Sequence, residues 1–271
     1  MTAAAPGLSI AALALAVETD HRYVDAACCP VETDLTGLLS GRSAPAAAPR
    51  GAGLLTADLA VVAEHSGIPL PSLRMLTVRE DGVELARRAL TALGPPPHPQ
   101  PLLLVQSSPD RDPLGAALPR LVHELGWPIT EDLGLTHLGD VGGIAMAGLL
   151  SWWMDEAVGA SVVVVDQPLF AREDLVPQQL TAVALRFGGN GPQHVLAWGE
   201  GAAPVTADRT YSGPGACGGW PDLCRAMDRG ELGPGESVLL RSGGGQRQAW
   251  LLLRHTPVEA AASSDRHDPR S

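Results

Sequence analysis

The chain contains no lysine; apart from histidine, every basic side chain is arginine. That absence removes whole chemistries. A Schiff base needs a lysine amine, so pyridoxal-phosphate enzymes and class I aldolases are excluded. A P-loop is excluded too, because nothing can play the lysine that reaches the phosphates. Together with the abundance of Ala, Gly, Pro and Arg, the gap points to a GC-rich genome. Basic charge is scarce in total: 19 Lys+Arg against 30 Asp+Glu leaves a net charge of −11. Such an acidic surface repels phosphate backbones and argues against a nucleic-acid partner. The four cysteines, Cys28, Cys29, Cys217 and Cys224, show no CxxC spacing, and they read as reduced thiols of a cytoplasmic protein. No histidines, cysteines or acids fall at metal-ligand spacing, Gly-x-Ser-x-Gly is absent, and no cofactor is expected. The apolar run Leu8–Val17 follows no basic segment and is too short to span a bilayer, so no membrane association is expected.

Hydrophobic residues make up 45% of the 271 and charged residues 18%, enough for a large buried core. Leu8–Leu15 reads as a first strand. Residues 18–53 are loop-rich, and Ala57–His65 reads as a short helix. Val83, Leu85, Ala86, Ala89, Leu90 and Leu93 share a helical face over Glu80–Leu93, and Gly94-Pro95-Pro96-Pro97 ends that helix. Leu102–Val105 and Val162–Val165 are uninterrupted apolar runs, the mark of strands buried on both faces. Between them Ala116–Leu125 reads as a helix, and Gly143–Ala157 as a helix apolar all round, which belongs in the middle of a layered protein. Trp152 and Trp153 on it are both expected in the core. Strands are expected at Thr181–Phe187, Val195–Trp198, Glu236–Arg241 and Gln248–Arg254, with a helix at Trp220–Arg229 and a disordered tail at 259–271. Strand and helix alternate, so the class is α/β with a mixed sheet.

Four segments carry a family likeness. They are Gly67-Ile68 with Arg74, Glu80-Asp81 and the helix behind them; Ser107-Ser108-Pro109-Asp110-Arg111 at a strand end; Gly142-Gly143 before the apolar helix; and Gly233-Pro234-Gly235-Glu236 with the hairpin from Ser237 to Trp250, which encloses Ser242-Gly243-Gly244-Gly245. In this order and spacing the chain resembles a ketoacyl synthase III of the thiolase superfamily. The resemblance implies a thiolase-like layered αβαβα fold with a shortened C-terminal half. The halves would be residues 1–170 and 171–258, followed by the tail. It implies acyl-CoA or acyl-carrier-protein thioesters as substrates. It also implies an acyl-accepting cysteine in the turn before the apolar helix. Here that turn reads Asp140-Val141-Gly142-Gly143, with either Asp140 or Val141 at the cysteine's place. The histidine and asparagine that the family places in its C-terminal half have no counterpart in 199–219.

A carboxylate is a poor nucleophile toward thioesters, and a mixed anhydride would hydrolyse. Asp140 reads more simply as an N-cap accepting from the amides near Gly142 or Gly143. The catalytic set is therefore expected to be empty. The family includes inactive members that pair with an active ketosynthase, such as chain-length-factor-type subunits and the inactive half of the alkylquinolone-forming synthase. The resemblance accordingly implies a non-catalytic subunit in a heterodimer or heterotetramer, with an acyl carrier protein as a further partner. Val162, Val163, Val164 and Val165, with Gln167, Leu169 and Phe170, are expected at the interface, because an unpaired valine-rich edge would aggregate. Two alternatives stand beside this reading. One is an independent acyltransferase or thioesterase in which Asp140 and His137 activate water, and the other is a homodimeric acyl-binding scaffold. Cys217-Gly218-Gly219-Trp220 imitates a nucleophile turn but reads as a loop thiol with no strand before it, and His123 as a structural histidine on its helix.

Overall fold

The two uninterrupted apolar runs lie side by side inside a ten-stranded mixed sheet in the computed structural model. The structure describes residues 2–4, 7–25, 73–78, 82–108, 117–136, 138–168, 170–172, 179–204, 206–243 and 247–257. In chain order the elements are β1 (Thr2–Ala4), β2 (Ser9–Glu18), β3 (His21–Asp25), β4 (Leu73–Val78), α1 (Gly82–Leu93), β5 (Gln100–Gln106), α2 (Ala117–Leu125) and β6 (Ile129–Leu135). A 3-10 turn at Gly139–Val141 leads into α3 (Gly142–Trp153), followed by β7 (Ala160–Asp166), β8 (Phe170–Arg172), β9 (Leu180–Gly188), β10 (Gln193–Glu200), β11 (Arg209–Gly213), α4 (Trp220–Asp228), β12 (Ser237–Ser242) and β13 (Ala249–His255). The helix expected at Ala57–His65 and the tail at 259–271 lie outside the described residues.

The large sheet runs β11-β12-β13-β10-β2-β9-β7-β5-β6, with β1 added beside β10. Its order contains a repeat. β2, β9, β7 and β5 are joined by antiparallel, antiparallel and parallel pairing. β10, β13, β12 and β11 are joined in the same sequence of senses. α3 precedes β7 and α4 precedes β12, so the chain is two related halves. The second is shortened: between β10 and β11 there is only 201–208, where the first half has 19–99 between β2 and β5. It has no counterpart of α2 and β6. Because β9 completes the first half, the divide falls between Gly188 and Gln193, not at residue 170. β10 and β2 join the half-sheets where Gln193 and His194 pair with Ile10 and Ser9.

Alternation decides the layers. Leu102, Leu104, Val163 and Val165 point to one face, where they pack with Val83, Leu85, Ala86, Ala89 and Leu90 of α1 and Leu121 of α2. Leu103, Val105, Val162 and Val164 point to the other face and share a core with Ile144, Met146, Ala147 and Leu150 of α3 and Leu223 of α4. Val238, Leu240, Leu251 and Leu253 of the second half close over the same core. α3 and α4 thus lie between the half-sheets. Each fully buried Val or Leu here contributes ~1.5–3 kcal/mol.

Val162–Val165 are corrected as interface residues. β7 is paired with β5 on one edge and β9 on the other, and all four valines are buried. The hazard of an exposed valine edge is removed within the chain, and this strand has no free edge to offer. Gln167 is also buried, Phe170 lies in β8 of a small antiparallel sheet with β3 and β4, and Leu169 is outside the described residues.

Candidate functional site

Where the half-sheets close on α3 and α4, two turns face each other. Gly139-Asp140-Val141-Gly142-Gly143-Ile144 enters α3, and Gly215-Ala216-Cys217-Gly218-Gly219-Trp220 enters α4. Both read Gly-x-x-Gly-Gly, and both open on a glycine in the left-handed region, φ +55° at Gly139 and +75° at Gly215. The second turn comes off β11, a strand for which 209–213 gave no apolar alternation.

The turns are bonded to each other. The Gly143 N–H donates to Ala216 O at 3.2 Å. Trp220, fully buried, donates its Nε1–H to Gly143 O at 2.8 Å. A Cβ on Gly143 would stand 2.2 Å from Ala216 O, so only glycine lets the backbones approach this closely. The Gly142 N–H is already held by Gly139 O. Asp140 is therefore not the N-cap. Val141 holds that position, without a side-chain cap bond, and Asp140 is exposed on the 3-10 turn. The amides it was expected to cap have backbone partners instead.

Behind the turns lie groups that spacing did not single out. Asp166 ends β7, and its Oδ2 fills the space beside Gly215 where a Cβ would stand 1.7 Å away. The residue keeps some accessible surface, but its carboxyl sits deep among protein atoms. Burial pushes it up to about 7, against the opposing hydrogen bond from the Ala216 N–H; the charge of Asp140 adds to the rise. The Ser107 hydroxyl is close enough to favour the charged form, yet it makes no hydrogen bond of ordinary geometry. Ser242, at the matching end of β12, also has a buried hydroxyl without a partner.

Cys217 is buried, with Sγ 3.5 Å from Val164 O and 3.6 Å from Thr181 O. Burial, with the Asp166 carboxyl beside it, pushes its thiol well above the ordinary range. It is a structural thiol aimed at two strand carbonyls, though its turn faces the very turn where the family likeness implies a nucleophile. A comparison of the two Gly-x-x-Gly-Gly runs would have found this pairing in the sequence. Cys217 and Cys224 are free thiols; Cys28, Cys29 and His137 are outside the described residues. His123 is exposed on α2. Trp153 is half-buried, but Trp152 is 75% exposed, a correction to its expected place in the core. Among the described residues no three His, Cys, Asp or Glu come together as a metal site, and no helix is long and apolar enough to cross a membrane.

The fold is that of thiolase-like ketosynthases. ChlB3, an acyltransferase, superposes with a TM-score of 0.59 at 14% identity, over 93% of this chain and 98% of that one. OleA of Xanthomonas campestris gives 0.55 at 11%, over 93% and 99%. The 3-oxoacyl-(acyl carrier protein) synthase III of Pseudomonas aeruginosa gives 0.51 at 13%, over 93% and 99%. No family model and no curated protein matches the chain.

Proposed function

We propose that this chain is a non-catalytic, ketosynthase III-like subunit that pairs with an active ketosynthase or acyltransferase. The pair would act on acyl-CoA or acyl-carrier-protein thioesters in specialised polyketide or fatty-acyl biosynthesis. The observation that carries the reading is the Gly143 amide. Acyl transfer needs a thiolate that forms and leaves the thioester, and donors for the developing oxyanion. At the head of α3 there is no cysteine, and the Gly142 and Gly143 amides are already bonded to Gly139 O and Ala216 O. Among the described residues the thiol that lies beside this turn, Cys217, is buried and held protonated. The shortened second half supports the same reading, because its short stretch 199–219 holds neither the histidine nor the asparagine that the family likeness implies there.

The test is co-expression with each active ketosynthase encoded in the same genome, followed by size exclusion with light scattering and acyl labelling. A stable one-to-one complex labelled only on the partner is expected. A chain that stays alone in the presence of every one of them overturns the reading.

One observation favours a second reading, an independent acyltransferase or thioesterase. Asp166, close to neutrality, and exposed Asp140 form a pair of carboxyl groups suited to acid–base work. In that case Asp140→Asn and Asp166→Asn would each abolish turnover by the chain alone. A subunit would keep its assembled activity in both.

A further inference from the structure

Asp166 carries a carboxyl into the junction of the two turns with no cation to meet it. Each element packed on its face supplies one neighbour. β9 sets Thr181 directly opposite. Ser107 stands just past the end of β5, the 3-10 turn brings the charge of Asp140, and the α4 turn brings the Cys217 thiol. Among the described residues no arginine or histidine joins them, and the firm partner is the Ala216 N–H. A buried carboxylate with one backbone donor and no counter-ion is costly, whereas the protonated acid is not.

Two more groups are poorly served here. Ser107 Oγ and Ser242 Oγ are both buried without a hydrogen-bond partner. Ser107 lies beside Asp166, and Ser242 lies beside Gly218, where a Cβ would stand 2.4 Å from the Ser242 Cβ. The stretch Gly213–Gly218 runs past both. Gly215 and Gly218 have φ of +75° and +46°, so this stretch has backbone freedom that other residues lack. Ala216 is its keystone. Its N–H goes to the Asp166 carboxyl, and its O accepts the Gly143 N–H at 3.2 Å. A shift of Ala216 breaks both bonds together, and water can then reach the carboxyl and the two hydroxyls.

We propose that this junction is a pH-operated latch. With Asp166 protonated it is shut; ionisation of Asp166 favours a minor open form in which Ala216 swings off the carboxylate, water enters and the Gly143 N–H is released. The charge needs water, and only the open form supplies it. The ratio of open to closed form therefore rises with pH until the closed-form carboxyl is itself ionised, and is level above that. In the open form the head of α3 presents an unbonded amide, the donor that the shut turn withholds. The latch is independent of the subunit reading.

The test is hydrogen exchange by NMR on the full chain from about pH 4 to about pH 8, with rates corrected for the intrinsic pH dependence of exchange. The opening ratio at the Gly143 amide should rise about 30-fold, which is half, on a logarithmic scale, of the full displacement of Asp166 from 3.8 to about 7. It should level off at the pH where the Asp166 carboxyl 13C resonance titrates. Exchange at Gly143 should also be insensitive to low urea, as a local opening is, while the amides of β7 exchange more slowly and only through urea-sensitive unfolding. In Asp166→Asn the Gly143 ratio should be flat with pH. A flat wild-type ratio, an equal rise in Asp166→Asn, or Gly143 exchange that follows β7 in its urea dependence overturns the proposal. If the variant does not fold, the wild type decides: coincident levelling and carboxyl titration support the latch, and separate midpoints overturn it. Failure to bind any ketosynthase would refute the subunit reading and leave this result standing.

Discussion

Asp166→Asn should make the protein more stable at alkaline pH and flatten its stability profile. In the folded state the carboxyl is raised from 3.8 to about 7, chiefly by burial. Between about pH 4 and pH 7 the folded chain therefore keeps a proton that the unfolded chain has released. Stability falls as pH rises through that window and is level above it. The full displacement corresponds to ~4 kcal/mol. Because the residue keeps some accessible surface, about half of that, ~2 kcal/mol, is the better expectation. An asparagine carbonyl can still accept the Ala216 N–H, and the neutral amide carries no burial penalty for charge. The variant should match wild type below about pH 4 and exceed it by ~2 kcal/mol near pH 8. For a chain of this size that is about 4–8 °C in Tm. Thermal or urea unfolding across the pH range measures it. A wild-type profile that does not decline between about pH 4 and 7, or a variant with an equal decline, would refute the argument.

Other consequences follow from the same turns. Gly143→Ala forces a Cβ to 2.2 Å from a backbone oxygen, so it should destabilise by ~1–3 kcal/mol in urea unfolding. Trp220→Phe keeps most of the buried ring but strips the donor to Gly143 O, at a cost of ~1–2 kcal/mol by the same assay. Asp140→Asn removes the charge that helps to raise Asp166; the decline in stability should then level off at lower pH, with less than ~0.5 kcal/mol change at pH 8, as for an exposed side chain. Peptide-resolved alkylation should find Cys217 unreactive in the native protein at pH 8 and reactive once unfolded, since burial holds the thiol protonated.

The central strands were legible because continuous apolar runs have few other solutions. Leu102–Val105 lies within β5 and Val162–Val165 within β7. The helix expected at Glu80–Leu93 begins at Gly82, and α2 and α4 fall within a residue of their expected spans. β6 was not legible. Ile129-Thr130-Glu131-Asp132-Leu133-Gly134-Leu135 is an edge strand, exposed along much of its length, so selection for burial left no alternating pattern to read. β11 escaped for the same reason, with exposed and half-buried residues in turn at the other end of the sheet. α3 ends at Trp153 and not at Ala157, since Met154 turns to extended backbone.

By itself the sequence determined the α/β class, the Asp140-Val141-Gly142-Gly143 turn before an apolar helix and the absence of lysine chemistry. These are properties of residue identity and local period. Tertiary structure decided which elements became neighbours. The Gly142 amide is taken within its own turn, but Cys217 turns inward and the Gly143 amide is spent on Ala216 because two turns 76 positions apart in the chain meet face to face. Asp166 becomes a near-neutral acid for the same reason. It also placed the valines of β7 inside the sheet and the acids of β6 at its rim. An apolar run announces burial, but only strand order says which edge is left open.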